Sequence, residues 1–172
     1  MKYRDQFLLS DSELADELLK ITDHYVDELF EYPGQIVQYN PVSRLVMDPE
    51  RFRDDDREEM SMKGMGVAYI KTSGRKELRK LTGPEREEIV RSLYDPYHEA
   101  FAGKVTNILG RHDKCLIIDA HSFPSKPLSY EDKGEIMIEI NRSLYMNELT
   151  GQKLPAFNNV HEMIRGLFDQ LK

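Results

Sequence analysis

The chain has little cysteine, no long apolar run and no export signal, and each absence excludes a class of protein. Its 172 residues contain a single cysteine, Cys115, so no disulfide can form within the chain. No apolar run approaches the ~18 residues that a membrane span requires. The first residues, MKYRDQFLLSDSEL, lack the basic, apolar and small-residue segments of a secretory signal. We therefore expect a cytoplasmic protein without membrane spans.

Positive charge is also scarce. The 24 Lys and Arg residues are outnumbered by 31 Asp and Glu residues, and the net charge of -7 repels phosphate backbones unless basic residues cluster. The densest basic stretch, KTSGRKELRK at 71–80, has no interleaved aromatic residue and is typical of a solvated surface. We predict neither nucleic acid nor membrane as a partner.

The pattern that is present indicates one α/β domain over residues 1–172. Three segments have helical spacing of apolar residues: one from Ser10 or Asp11 to about Tyr32, one from Pro84 with a kink at Pro96 near Tyr94, and one over 159–171. Five segments have the composition of strands: 35–39, 44–48, 66–72, 115–119 and 135–141. This order predicts a three-layer sandwich with a mixed, mostly parallel sheet between helices.

Polar residues follow the predicted strand at 115–119, where open α/β sheets bind their ligands. Asp119 and His121 are two residues apart and project to the same side if the chain stays extended. A neutral imidazole at this position can bind a metal or act as a base. The alternative interpretation is a hydrogen-bonded histidine in a turn.

The strand predicted at 135–141 carries Glu139 among isoleucines. Alternation of side chains puts Glu139 and Asn141 on one face. An ionised and unpaired carboxylate in an apolar strand is costly, so we expect Glu139 to be protonated, to lie in a polar cleft or to pair with an arginine.

A third cluster, NPVSRLVMDPERF, places Arg44, Asp48 and Arg51 around one short segment. A planar guanidinium can bind a carboxylate through two parallel hydrogen bonds. Taken singly, each arginine is better interpreted as a surface residue.

Five segments in order, over nearly the whole chain, resemble one family. They are SRLVMDPERF, GMGVAYIKT, PYH at 96–98, LIIDAHSFPS and IMIEINRSLYMNE. In this order and character the sequence resembles the N-formylglutamate amidohydrolase family. The resemblance implies a fold similar to the zinc carboxypeptidases, with a metal site at the strand ends. It also implies hydrolysis of N-formyl-glutamate, or a related small acidic N-acyl amino acid, to the free amino acid and formate or another carboxylate.

The resemblance also implies roles for individual residues. His121 would be a zinc ligand, Glu139 the catalytic carboxylate that activates the metal-bound water, and Arg44, Arg51, Asn141 and Arg142 the residues that bind substrate carboxylates. Zinc lowers the pKa of its water to about 7, and a neighbouring carboxylate can then take the proton. Strand alternation turns Arg142 away from Glu139 and Asn141. Asp119 would orient the site from outside the ligand shell.

The sequence also departs from this family. Longer members begin with a strand and a turn whose histidine resembles the first metal ligand, and that histidine has no counterpart here. A segment near 132–135 is also shorter, so we expect the join between the last two strands to be very compact or antiparallel. Asp23, in TDHYVDELF, matches an acidic position of the family and is the candidate for a second ligand. Because catalytic zinc normally has three protein ligands, we expect an incomplete site unless His98 substitutes.

These observations favour a zinc-dependent amide hydrolase acting on an N-formyl or N-acyl amino acid. Two alternatives stay open. One is a catalytically inactive remnant that binds an acidic metabolite or a protein partner. The other is a sequence that begins at an internal methionine and lacks segments of the cleft for that reason. A shortened sheet exposes an edge strand, which favours a homodimer.

Overall fold

A computed structural model describes residues 3–40, 42–125 and 139–170, apart from the side chain of Glu139. The chain divides into two compact units, which are described separately: Met1–Ile21 with Val37–Leu116, and Thr22–Ile36 with Ile117–Lys172. In the part of the chain described, no helix is long and apolar enough to cross a membrane. The single-domain assignment stays a prediction.

Helix α1 of the first unit, Asp11–Ile21, begins where the sequence predicts. The backbone N–H of Ser10 donates to the Glu13 carboxylate (2.8 Å), and the N–H of Glu13 donates to the Ser10 hydroxyl (3.3 Å). This reciprocal pair satisfies two N–H groups that a helix start leaves without partners. The predicted end near Tyr32 is wrong, because the helix stops at Ile21.

Helix α2, Val26–Leu29, follows in the second unit. It is preceded by Tyr25, whose φ of 63° lies in the left-handed region. A bulky residue in this conformation cannot continue a right-handed helix, so the apolar periodicity that spans Thr22–Tyr25 does not produce one continuous helix.

The later part of the first unit is a run of helical segments. These are α3 at Gly83–Ile89, a wide π-helical turn at Val90–Tyr94 and α4 at Asp95–His112. Thr82 and Glu85 form a capping box at the start of α3. The sequence predicts a kink or split near Tyr94, and the structure has the π-helical turn Val90–Tyr94 at this place, next to Pro96, which has no N–H to give to the preceding turn.

One hydrophobic cluster of the first unit joins two loop segments to this helical run. Its buried members are Met47, Val67, Ala68, Ile89 and Val90. The strand predicted at 44–48 is a turn, because the N–H groups of Leu45 and Val46 donate to the side chain and the carbonyl of Ser43. At 66–72 the structure has an isolated antiparallel bridge, Lys71 with Glu77, instead of a strand.

The second unit contains strands β1, His121–Phe123, and β2, Glu139–Asn141. They pair in parallel, with His121 opposite Glu139. The antiparallel alternative is therefore wrong. Residues 124–138 connect the two strands, and their number is sufficient for a parallel crossover, which needs a dozen or more residues. The segment 135–138 lies outside the described residues.

Helix α5, Phe157–Gln170, lies against the segment around α2. The rings of Phe30 and Phe168 are 6.0 Å apart, and those of Tyr25 and Phe157 are 5.9 Å apart at a near-perpendicular angle. The near-perpendicular contact is a favourable geometry for an aromatic pair, and both pairs bury apolar surface between the two segments.

Within the described residues, the sheet is smaller than the sequence predicts. The predicted buried strand at 115–119 is wrong, because β1 begins only at His121 and the side chains of Leu116, Ile117 and Ile118 are exposed. The described residues therefore form a mixed α/β structure with helices and one small parallel sheet. The three-layer arrangement stays a prediction.

Candidate functional site

His121 lies at the start of β1 with one carboxylate at each ring nitrogen. Its Nε2 is 2.8 Å from Oδ1 of Asp119, and its Nδ1 is 3.5 Å from Oδ2 of Asp23. The imidazole is 11% exposed, whereas the side chain of Asp119 is 77% exposed. A neutral imidazole has one N–H, so in the tautomer that donates from Nε2 to Asp119 the lone pair of Nδ1 faces the carboxylate of Asp23.

Asp23 lies in the break between α1 and α2, not on a continuous helix as the sequence predicts. Its Oδ1 accepts hydrogen bonds from the backbone N–H (2.9 Å) and the hydroxyl (2.8 Å) of Ser122. The break thus turns the carboxylate toward β1, ninety-nine residues further along the chain.

Arg142 is buried beside the same group. Its Nε donates to the hydroxyl of Ser122 (3.0 Å), its Nη2 donates to the Ser122 carbonyl (3.3 Å), and Nη2 is 3.6 Å from Oδ1 of Asp23. β2 ends at Asn141, so the strand alternation that predicts the orientation of Arg142 does not extend to it. Its direct contact with a substrate stays a prediction.

Ser122 is a site residue that sequence reasoning missed. The sequence feature that could have identified Ser122 is its position directly after the histidine in DAHSFPS. Tyr145 was also missed and belongs to the same neighbourhood, because its hydroxyl donates to the His24 carbonyl (3.0 Å). Burial raises the pKa of Tyr145; the Ser122 hydrogen bond and Arg142 oppose the rise, and the charge of Asp23 adds to it.

The remaining predicted residues of the second unit lie on β2. Oδ1 of Asn141 accepts from the N–H (3.0 Å) and the hydroxyl (2.8 Å) of Ser143, and so begins the turn Arg142–Leu144. Glu139 is the register partner of His121, and its side chain lies outside the described structure. The roles predicted for both residues stay predictions.

The two predicted arginines of the first unit surround a buried carboxylate. Nε of Arg44 and Nε of Arg51 are 3.8 Å and 3.5 Å from Oδ2 of Asp48, which has no exposed surface. The Tyr69 hydroxyl donates to the same oxygen (2.7 Å), and Nη2 of Arg44 also contacts Glu50 (2.8 Å). Burial and the charge of Asp48 raise the pKa of Tyr69, while the two arginines lower it.

The described residues bring together two donors suited to zinc, Nδ1 of His121 and Oδ2 of Asp23, where catalytic zinc normally has three protein ligands. Among residues 3–40, 42–125 and 139–170, no group of three or more His, Cys, Asp or Glu side chains could hold a metal. His98, a candidate substitute ligand, belongs to the first unit, where its Nε2 is 3.0 Å from the Pro49 carbonyl. His121 and Asp23 form a two-residue arrangement.

Comparison with solved structures defines the class of fold. The chain is similar to the crystal structure of N-formylglutamate amidohydrolase from Ralstonia eutropha JMP134, with a TM-score of 0.72 and 16% sequence identity. The match covers 98% of this chain and 87% of that one. At this identity the likeness shows the fold alone, which is the mixed α/β fold of an amidohydrolase.

Sequence comparison identifies the family. The profile of the N-formylglutamate amidohydrolase family matches residues 1–135, and the chain belongs to this family of amide hydrolases. The resemblance to this family is confirmed, and four of the five sequence segments lie within the matched residues. A search of curated proteins gives no match.

Proposed function

We propose that the protein is a zinc-dependent amide hydrolase that cleaves an N-formyl or other N-acyl amino acid, such as N-formyl-glutamate, to the free amino acid and formate or another carboxylate. Membership of the family supports the reaction class. The proposed location of the active site rests on the His121 imidazole, which lies between two carboxylates. The likeness to the amidohydrolase structure supports the three-layer sandwich that the sequence predicts.

The His121–Asp23 pair fits two positions of a zinc site. Ligand atoms about 2.0–2.2 Å from a tetrahedral zinc lie roughly 3.3–3.5 Å from each other. Nδ1 of His121 and Oδ2 of Asp23 are 3.5 Å apart. Asp119, on the opposite ring nitrogen, matches the carboxylate that commonly orients a zinc-bound histidine. A bound zinc would act as a Lewis acid and lower the pKa of a coordinated water to about 7.

Glu139 is the proposed catalytic base. A carboxylate in this role takes a proton from the attacking water and later delivers it to the leaving nitrogen. The register of the sheet places its backbone opposite that of His121, which supports this assignment.

Arg44 is the proposed ligand of a substrate carboxylate, with Arg51 and Asn141 as further candidates. A charge-assisted hydrogen bond contributes about 1.5–3 kcal/mol, so Arg44→Ala should lower kcat/KM by roughly 10–100-fold, mainly through KM. Circular dichroism must show that the loss of the Asp48 and Glu50 contacts leaves the fold intact. An unchanged KM contradicts the assignment.

Metal content and formate release test the central proposal. The purified protein, after dialysis, should retain one zinc per chain and release formate from N-formyl-glutamate. His121→Ala and Asp23→Ala should lose zinc, while Glu139→Gln should keep zinc and lose roughly 10²–10⁴-fold in kcat. His112→Ala and Glu162→Gln are matched controls, because these residues lie on the exposed surface of α4 and α5.

Two outcomes contradict the proposal. If the unmutated protein, supplied with zinc, does not turn over N-formyl or N-acyl amino acids, the proposed hydrolase activity is excluded. Full activity after complete removal of metal excludes the zinc dependence and leaves the amide hydrolase.

A further inference from the structure

The carboxylate of Asp23 is held through one oxygen and faces His121 with the other. Oδ1 accepts two hydrogen bonds from Ser122, at 2.9 Å from its N–H and 2.8 Å from its hydroxyl. Oδ2 is the oxygen 3.5 Å from Nδ1 of His121. Two donors on one oxygen define the plane of the carboxylate, and this sets where Oδ2 lies.

Arg142 holds the Ser122 side chain against Asp23. A carboxylate can only accept and a guanidinium can only donate, so the Ser122 hydroxyl donates to Oδ1 of Asp23 and accepts from Nε of Arg142 (3.0 Å). The Arg142 side chain is 6% exposed, so water does not compete freely for these bonds.

We propose that Ser122 and Arg142 are positioning residues, which hold Asp23 through Oδ1 and thereby present Oδ2, together with Nδ1 of His121, to a divalent metal ion. This inference rests on the proposed function for the presence of the metal. It gives Arg142 a role different from the direct substrate contact predicted from the sequence. Residues of this kind typically change metal affinity by 10–100-fold.

Zinc affinity of the full chain, measured by competition with a chromophoric chelator, tests the proposal. Ser122→Ala and Arg142→Gln should each weaken zinc binding by roughly 10–100-fold. Ser122→Thr should restore most of the affinity, because it keeps the hydroxyl. Ser125→Ala is the matched control, since Ser125 also donates its N–H and hydroxyl to a carboxylate, that of Glu148. It should leave zinc affinity unchanged.

A double-mutant cycle separates positioning from general destabilisation. If Ser122 acts through Asp23, Ser122→Ala should have no further effect on zinc affinity in the Asp23→Ala background. Equal losses in both backgrounds overturn the proposal, as does a lowered melting temperature with unchanged zinc affinity.

The ring ¹⁵N signals of His121 in the metal-free protein give a readout that does not depend on zinc. Arg142→Gln should move the Nδ1 signal in the same direction as Asp23→Ala, because both changes remove the fixed Oδ2. A signal that responds to Asp23→Ala and not to Arg142→Gln overturns the positioning role. Absence of zinc binding in the unmutated protein instead overturns the metal dependence of the proposed function, and the NMR comparison then decides the positioning role by itself.

Discussion

The buried guanidinium of Arg79 links three segments of the first unit, and its removal should be costly. Its Nε donates to the Tyr69 carbonyl (2.7 Å), Nη2 to the Val46 carbonyl (2.8 Å) and Nη1 to the side chain of Gln6 (2.9 Å). The guanidinium also lies 5.2 Å from the ring centre of Phe7. Arg79 is 1% exposed, and burial lowers its pKa to about 10.

Arg79→Met tests this arrangement, because it keeps much of the side-chain length and removes every donor. The carbonyls of Tyr69 and Val46 then lose this donor, and each buried group left unsatisfied costs about 1–3 kcal/mol. Gln6 is exposed and can bond to water instead. The free energy of unfolding should therefore fall by about 2–6 kcal/mol. Arg79→Lys should also be destabilising, because an ammonium group lacks the fork that reaches both carbonyls.

Urea unfolding followed by far-ultraviolet circular dichroism measures this loss. Arg91→Met is the matched control: Arg91 is exposed and pairs with Glu88, and an exposed ion pair contributes little to stability, so this variant should unfold like the unmutated protein. A fall of less than about 1 kcal/mol for Arg79→Met, at an unchanged denaturant slope, would refute the reasoning that its donors satisfy buried carbonyls.

Three further predictions concern the first unit. Gly66→Ala places a Cβ 2.5 Å from Oδ1 of Asp55, a carboxylate already paired with Arg86, and should cost about 1–3 kcal/mol in urea unfolding. Gly103→Ala adds a Cβ in open space within α4 and should instead stabilise by about 0.5–1 kcal/mol; a loss would contradict the helix assignment. The pKa of Tyr69 is raised above its ordinary value of about 10. The protonated hydroxyl therefore contributes fully to the free energy of unfolding below about pH 10, and this contribution is lost as the pH rises further. Tyr69→Phe should flatten the alkaline fall in unfolding free energy; equal slopes for both proteins would contradict this.

Features set by near neighbours in the chain were predictable. Helix α1 begins where expected because Ser10 and Glu13 are three residues apart and satisfy each other's backbone groups. The irregularity near Tyr94 was expected because Pro96 acts within one helical turn. The segment at 44–48 was misassigned because its apolar composition suits a strand as well as a buried turn. The hydrogen bonds to Ser43 decide in favour of the turn.

The residues of the candidate site likewise fall into those that the sequence indicated and those that it did not. The sequence indicated His121 and Asp119 together, since they are two residues apart, and it indicated Asp23 by family resemblance. It did not indicate the Ser122–Arg142 contact or the hydrogen bonds that orient Asp23. Alternation along β2 could not place Arg142, because the strand ends one residue before it.

By itself, the sequence determined the family, the helix boundaries that depend on local capping, and the residue types available for chemistry. The family follows from the resemblance of its ordered segments, whereas the helix boundaries follow from periodicity and neighbours along the chain. The tertiary structure alone decided that Asp23 meets Ser122, ninety-nine residues away, and that Arg79 meets the carbonyls of Tyr69 and Val46. The reason is physical: a buried donor or acceptor must find a partner, and which partner it finds depends on the packing of segments that are distant in the chain.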